Sequence, residues 1–458
     1  MRSALVSMIV QLMLSDTVLK CVPVFLLTGV VTGELLRTRK NPALAYQLPF
    51  LISATFSVMV LPTLIANLGN SDRMASAEFL RFAWFALICM VSAIHFYKRF
   101  RRFRSKPDKP KRNISGSLLS LSLVPFLLVA LASLSQINPT EYGSVLGGSF
   151  AIFLFFARLL RPIQVLAWGG FLLTRNRNCL AIFIVCVLSS LPFIFISGRR
   201  SDTLFLPLSI LVPLWAINGK TLSPRQIGLG VLFVLFVFFL LPSIRAFTRN
   251  FEFSEVASIS FSDELQGGIA GEGTNEVIEV SKDMAAVEKT GSYSYGVEFI
   301  NKITFQYVSS TLFGDAVKAA FQFPQPDLDV VRATASDSHV AYSNSKFYLT
   351  RFGFGDAFLA FGWFGVFYFV AFGVLVAKLY DTCFASNDAR LRLIYCVLTV
   401  FIPFTIYDSF SACPVLALPW TCLVYVCLYL FPKLVARSKI VRNRTVDASK
   451  LHTPEEIL

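Results

Sequence analysis

Four short segments carry the charges that could do chemistry in an otherwise apolar chain. ISGRRSD (196–202) sets Arg199 and Arg200 beside Asp202, behind Gly198, which permits a tight bend. Two guanidiniums share one carboxylate there. Either Arg200 pairs with Asp202 in a plain turn, or the segment holds an anionic lipid phosphate through two parallel N–H bonds. SIRAFTRN (243–250) spaces Arg245 and Arg249 four apart, on one face if the preceding helix continues. They either snorkel to the membrane surface or join the first pair in one basic rim. FARLLRP (156–162) puts Arg158 and Arg161 inside an apolar run beside Pro162, which lacks a helix donor. An interfacial elbow and a broken helix lining a cavity both fit. SDSHVAYSNSKFYLTRFGFGDAFLAFGWFGVF (336–367) carries His339, Arg351 and Asp356, a set suited to proton transfer near neutral pH. Gly362 and Gly365 in its FGWFG read as a close helix-packing contact.

Lipid is the solvent for most of what positions these residues. Of 458 residues, 55% are hydrophobic and only 15% charged, whereas a soluble chain has about a quarter charged. An apolar helix needs about 20 residues to cross a core about 30 Å thick. Such runs occur near 18–36, 43–66, 78–97, 115–134, 145–173, 179–197, 203–217, 226–244, 354–378, 391–408 and 411–432. The fold class expected is therefore an all-α polytopic integral membrane protein of about 11–12 spans, residues 4–14 being a further thin or interfacial helix.

The net charge of +14 sorts onto alternate loops. Arg37, Arg39 and Lys40, the run KRFRRFRSKPDKPKR (98–112), Arg175 and Arg177, Lys220 and Arg225, Arg390 and Arg392, and the tail all fall on one side. That side is expected to be cytoplasmic. A basic loop beside a membrane meets anionic headgroups, so nucleic acid is not an expected partner. On the other side, 245–346 is a large loop in which Asp and Glu outnumber Lys and Arg, with an amphipathic helical pattern at 275–289 and an apolar stretch at 299–314. The expected organisation is a bundle over 1–244, a cap over 245–346, further spans over 347–432 and a basic tail over 433–458. Nine Cys follow the spans, only three His are present and no C-x-x-C occurs, so neither a disulfide framework nor a metal site is expected. Asn113 and Asn443 head N-x-S/T triplets on the basic side and carry no glycan signal.

With the G-R-R turn, an arginine opening one large external loop, and a polar stretch running into DAFLAFGWFG, residues 180–380 resemble the O-antigen and related polysaccharide polymerases. The rest of the chain resembles this family, relatives of the O-antigen ligases, by its span pattern. The resemblance implies a glycosyltransferase that polymerises undecaprenyl-pyrophosphate-linked oligosaccharide repeat units at the periplasmic face of the inner membrane. It implies no cofactor, no nucleotide sugar and, as in related ligases, no metal. A flippase and a chain-length co-polymerase are the implied protein partners. Carried onto this chain, the pyrophosphate would be bound by Arg199, Arg200, Arg245, Arg249 and Arg351, and the catalytic set would be His339, Arg245 and Asp356. His339 would orient or deprotonate the acceptor hydroxyl, and Arg245 would stabilise the leaving group. The alternatives are a ligase acting on lipid A core, a flippase-type transporter, for which short external loops are expected, and a non-enzymatic assembly scaffold.

Overall fold

The computed structural model describes residues 16–68, 77–102, 110–111, 113–137, 148–197, 200–221, 223, 225–226, 229, 276–301, 314–324, 326, 331, 353–407 and 420–438. Among them the chain is helical, with no strand beyond an isolated bridge between Lys111 and Asp388. The helices are α1 (Asp16–Lys40), α2 (Leu48–Met59), α3 (Leu61–Leu68), α4 (Ala77–Phe100), α5 (Gly116–Leu134), α6 (Gly148–Ala157), α7 (Leu160–Thr174) and α8 (Arg177–Ser197). They continue with α9 (Arg200–Asn218), α10 (Glu276–Thr290), α11 (Asp315–Ala320), α12 (Gly353–Phe361), α13 (Val366–Ala385), α14 (Ala389–Thr399) and α15 (Ile402–Tyr407). The last, α16 (Trp420–Ser438), contains a π-turn over Val426–Leu430.

Among the described residues six helical stretches are long and apolar enough to cross a membrane: Cys21–Lys40, Glu78–Phe100, Gly116–Leu134, Gly353–Ala385, Ala389–Ile406 and Trp420–Ser438. Their outer faces carry Phe25, Leu128, Phe367 and Leu375, all at least 60% exposed. Side chains of this kind repeated around a bundle are stable only against lipid, and this is the architecture of a helical integral membrane protein. The expected segments at 179–197 and 203–217 are α8 and α9; residues 1–15, 227–228 and 230–244 lie outside the described residues.

Four expected spans are interrupted, the one at 391–408 parting at Val400 and Phe401 between α14 and α15. The one at 43–66 is a 3₁₀ turn (Pro42–Tyr46) followed by α2 and α3, which part at Val60 where Pro62 enters the next first turn. The one at 145–173 breaks between α6 and α7, at Arg158 and Leu159 just ahead of Pro162. The one at 354–378 is α12, a 3₁₀ turn over Gly362–Gly365, then α13. Gly362 there has φ +58, open to glycine at little cost.

Two apolar clusters fill the bundle. One joins α1 to α4 with α12, α13 and α15, and draws in Val277, Val280 and Met284 of α10. The other joins α5, α7, α8, α9, α13, α14, α15 and α16 around Trp215 and Trp420. Helices of this kind associate by close approach of small residues: a Cβ at Gly373 would collide with the Ala93 carbonyl oxygen, locking α13 to α4, and one at Gly169 would collide with Leu393.

The basic loops gather at one end of this bundle. Lys98 and Arg37 both pair with Glu34, Arg101 donates to Gln47 Oε1, and the Arg102 N–H donates to Asp381 Oδ2 at 2.8 Å. The Lys111 N–H donates to the Asn387 carbonyl at 2.8 Å, and Asn113 Nδ2 to Asp388 Oδ1 at 2.9 Å. Loop assignments separated by hundreds of residues thus meet at a common end. Arg392 is the exception to the charge-sorting argument. It is fully buried and stacks on Phe384, 3.9 Å from the ring centre, and donates to the Ala216 and Phe384 carbonyls and to Asn387 Oδ1. It is an internal tie between α9, α13 and α14, not a surface charge that orients the chain.

Candidate functional site

The opposite end carries α10, the amphipathic helix expected at 275–289. Val277, Val280, Met284 and Val287 recur at helical spacing and are buried. Val280 lies on Gly355 so closely that a Cβ there would strike it. The acidic cap segment therefore contributes a helix that packs directly onto α4 and α12.

Beneath it, α12 is drawn into the bundle by glycines. A Cβ at Gly353 would overlap the Thr405 carbonyl of α15, and one at Gly365 the Ala357 carbonyl. The FGWFG glycines therefore do not mark two continuous helices crossing. Gly365 lets the chain close on the helix just left, and Gly362 supplies the left-handed bend between them. In the first turn of α12 sits Asp356, fully buried. The partial positive charge of a helix N-terminus favours a carboxylate there. Asp283 and Ser281 of α10 are buried too, at 2% and 3% exposure. Burial of carboxylates is costly and is retained where polar groups are needed.

A second group fastens the edge of the cap helix. Glu288 pairs through Oε2 with Arg81 near the start of α4, and its Oε1 accepts from Trp363 Nε1 at 3.3 Å. Trp363 packs edge-on to Phe85 and Phe358. The chain leaving α10 is pinned to α12 by N–H bonds from Ser294 to Leu359 (3.0 Å) and from Tyr295 to Ala360 (2.9 Å). Burial raises the Tyr293 phenol above its ordinary range, with Glu288 and Tyr295 adding to the effect and Arg81 opposing it, so the hydroxyl stays neutral and able to donate. Trp363 and Tyr295 remain 42% and 71% exposed, offering ring faces beside hydrogen-bonding groups.

Of the residues proposed for catalysis or pyrophosphate binding, Asp356 is the one whose side chain is described. Arg200 is the first residue of α9, and α8 ends at Ser197; Gly198, between them, lies outside the described residues. Arg199, Arg245, Arg249, His339 and Arg351 lie outside the described residues, as does the stretch 302–313. Arg161 does not form a simple elbow: its guanidinium sits between Phe205 (5.5 Å) and Phe404 (5.3 Å), a cation–π contact joining α7, α9 and α15. Arg81, Glu288 and Tyr293 were missed by the sequence reading. The available signal was an arginine placed near the start of an apolar helix. Among the described residues no group of three or more His, Cys, Asp or Glu is placed to hold a metal ion. The chain matches no family model, no curated protein and no solved structure.

Proposed function

We propose that the chain is a membrane glycosyltransferase that polymerises oligosaccharide repeat units carried on undecaprenyl pyrophosphate. The reading places the reaction at the periplasmic face of a bacterial inner membrane, in surface-polysaccharide or O-antigen assembly. The observation that carries it is an amphipathic helix from an acidic segment, docked over a glycine-shaped, carboxylate-bearing α12 at the end of the bundle remote from the basic loops. A lipid pyrophosphate must keep its tail in the bilayer while its head meets a sugar, and a helix packed over the bundle end provides such a boundary.

In this reading the acceptor hydroxyl attacks the anomeric carbon of the growing chain. The new C–O bond forms as the bond to pyrophosphate breaks, and the proton passes to His339. Arg199, Arg200, Arg245, Arg249 and Arg351 balance the charge of the leaving lipid pyrophosphate. Asp356 is withdrawn from solvent, so its part is to position the start of α12 or to meet a substrate hydroxyl admitted beneath α10. Tyr295 and Trp363 supply ring faces for sugar.

Arg245→Ala should abolish chain extension while the protein remains in the membrane; polymer of normal length in that strain would overturn the arginine site. A deletion strain should accumulate lipid carrying single repeat units. Accumulation of long unattached chains would instead identify a ligase.

A further inference from the structure

At the basic end, α14 and α16 enclose an apolar groove of about 100 Å³ lined by Ile394, Val397, Leu398, Val424, Tyr425 and Tyr429. Its lower lip is cationic. Arg390 lies one turn before Ile394 with its guanidinium 5.2 Å from the centre of the Tyr429 ring, and Lys433 follows Tyr429 by one turn on an exposed face. The nearby carboxylate of Asp388 is already engaged at Oδ1 by Asn113 Nδ2 and by the Arg390 N–H. The π-turn Val426–Leu430 falls at this point, and Tyr425 and Tyr429 stack at 5.8 Å along the groove wall. Isolated π-turns inside α-helices are often retained at functional sites.

We propose that this groove is a binding site for an anionic phospholipid of the leaflet at the basic end. One acyl chain lies between α14 and α16, and the headgroup phosphate is bound by Arg390 and Lys433. The groove alone would accept any lipid tail; the cations at one end, beside an engaged carboxylate, select a negative headgroup. The site is independent of the glycosyltransferase reading, because it lies at the other end of the bundle from α10 and α12.

Native mass spectrometry of the full chain, purified from mixed phosphatidylglycerol and phosphatidylethanolamine, tests it. The wild type should retain phosphatidylglycerol preferentially. Arg390→Ala with Lys433→Ala should lower that retention about tenfold, leaving phosphatidylethanolamine adducts unchanged, whereas the charge-keeping Arg390→Lys with Lys433→Arg should restore it. Thr421 also lines the groove and is exposed, so Thr421→Trp, which fills the groove, should also reduce it. Equal retention of the two lipids, or unchanged phosphatidylglycerol in the alanine pair, would overturn the proposal. Displacement by inorganic phosphate alone would show a free-anion site, and retention in Thr421→Trp a headgroup-only contact; either overturns the groove. A dimer that appears as lipid is stripped would put a second copy there instead.

Discussion

The two ends of the bundle are held by different physics. At the basic end, polar ties run between helices far apart in sequence: Glu34 to Lys98, Gln47 to Tyr97, Arg101 and Tyr380, Asp381 to the Arg102 N–H, and Arg392 to three acceptors. Most of these groups are wholly or partly buried, where a hydrogen bond is strong and its loss costly. At the cap end, the contact between α10 and the bundle is mainly apolar, fastened at its edge by Arg81 and Glu288, whose side chains are 23% and 33% exposed. A solvent-reached ion pair contributes about 1 kcal/mol or less. The basic end is therefore tied by polar contacts between distant helices, and the cap end by apolar burial of α10 with only a partly exposed ion pair at its edge.

The contrast is broken most severely at Arg392. Arg392→Ala leaves the Ala216 and Phe384 carbonyls and Asn387 without their donor and removes the contact with Phe384, an expected loss of about 3 kcal/mol. Thermal unfolding in detergent should show a large fall in midpoint, and an unchanged midpoint would deny the tie. Next comes Gly365→Ala, where the added methyl meets backbone and not a movable side chain; overpacking of this kind costs about 1–3 kcal/mol. The effect should fall on the cap end, with faster hydrogen exchange over 353–361 and reduced polymer length, while 381–392 stays protected. Smallest in stability is Glu288→Gln, at about 1 kcal/mol or less. It should leave the unfolding midpoint nearly unchanged yet speed exchange across 276–290. Exchange at the wild-type rate would show that apolar contact alone seats α10.

Much of the helical framework was legible because lipid imposes one simple rule, a long uncharged run for each crossing. Pro162 marks a break whose chemistry is local, and the amphipathic spacing of Val277, Val280, Met284 and Val287 announces α10 in the same way, whereas the break at Pro62 went unread within the span expected at 43–66. What escaped depends on partners distant in sequence. Arg392 sits among loop cations in the sequence, and only the approach of Ala216 and Phe384 turns it into an internal tie. Glu288 and Arg81 are an unremarked cap acid and helix-start base until α10 lands on α4. FGWFG suggests tight packing, but not that Gly362 takes the left-handed conformation that splits the span. At the candidate site, Asp356 could be named from its place before FGWFG, whereas its complete burial, and the seating of α10 on Gly355 through Val280, appear only in the folded chain.

The most direct test is hydrogen–deuterium exchange of the full chain in nanodiscs, with and without a polyprenyl-pyrophosphate-linked repeat unit. The account predicts that substrate slows exchange over 276–301 and 353–365 and leaves 98–102 and 381–392 unchanged. Protection confined to the basic end, or no change at either end under conditions where polymer forms, would contradict it.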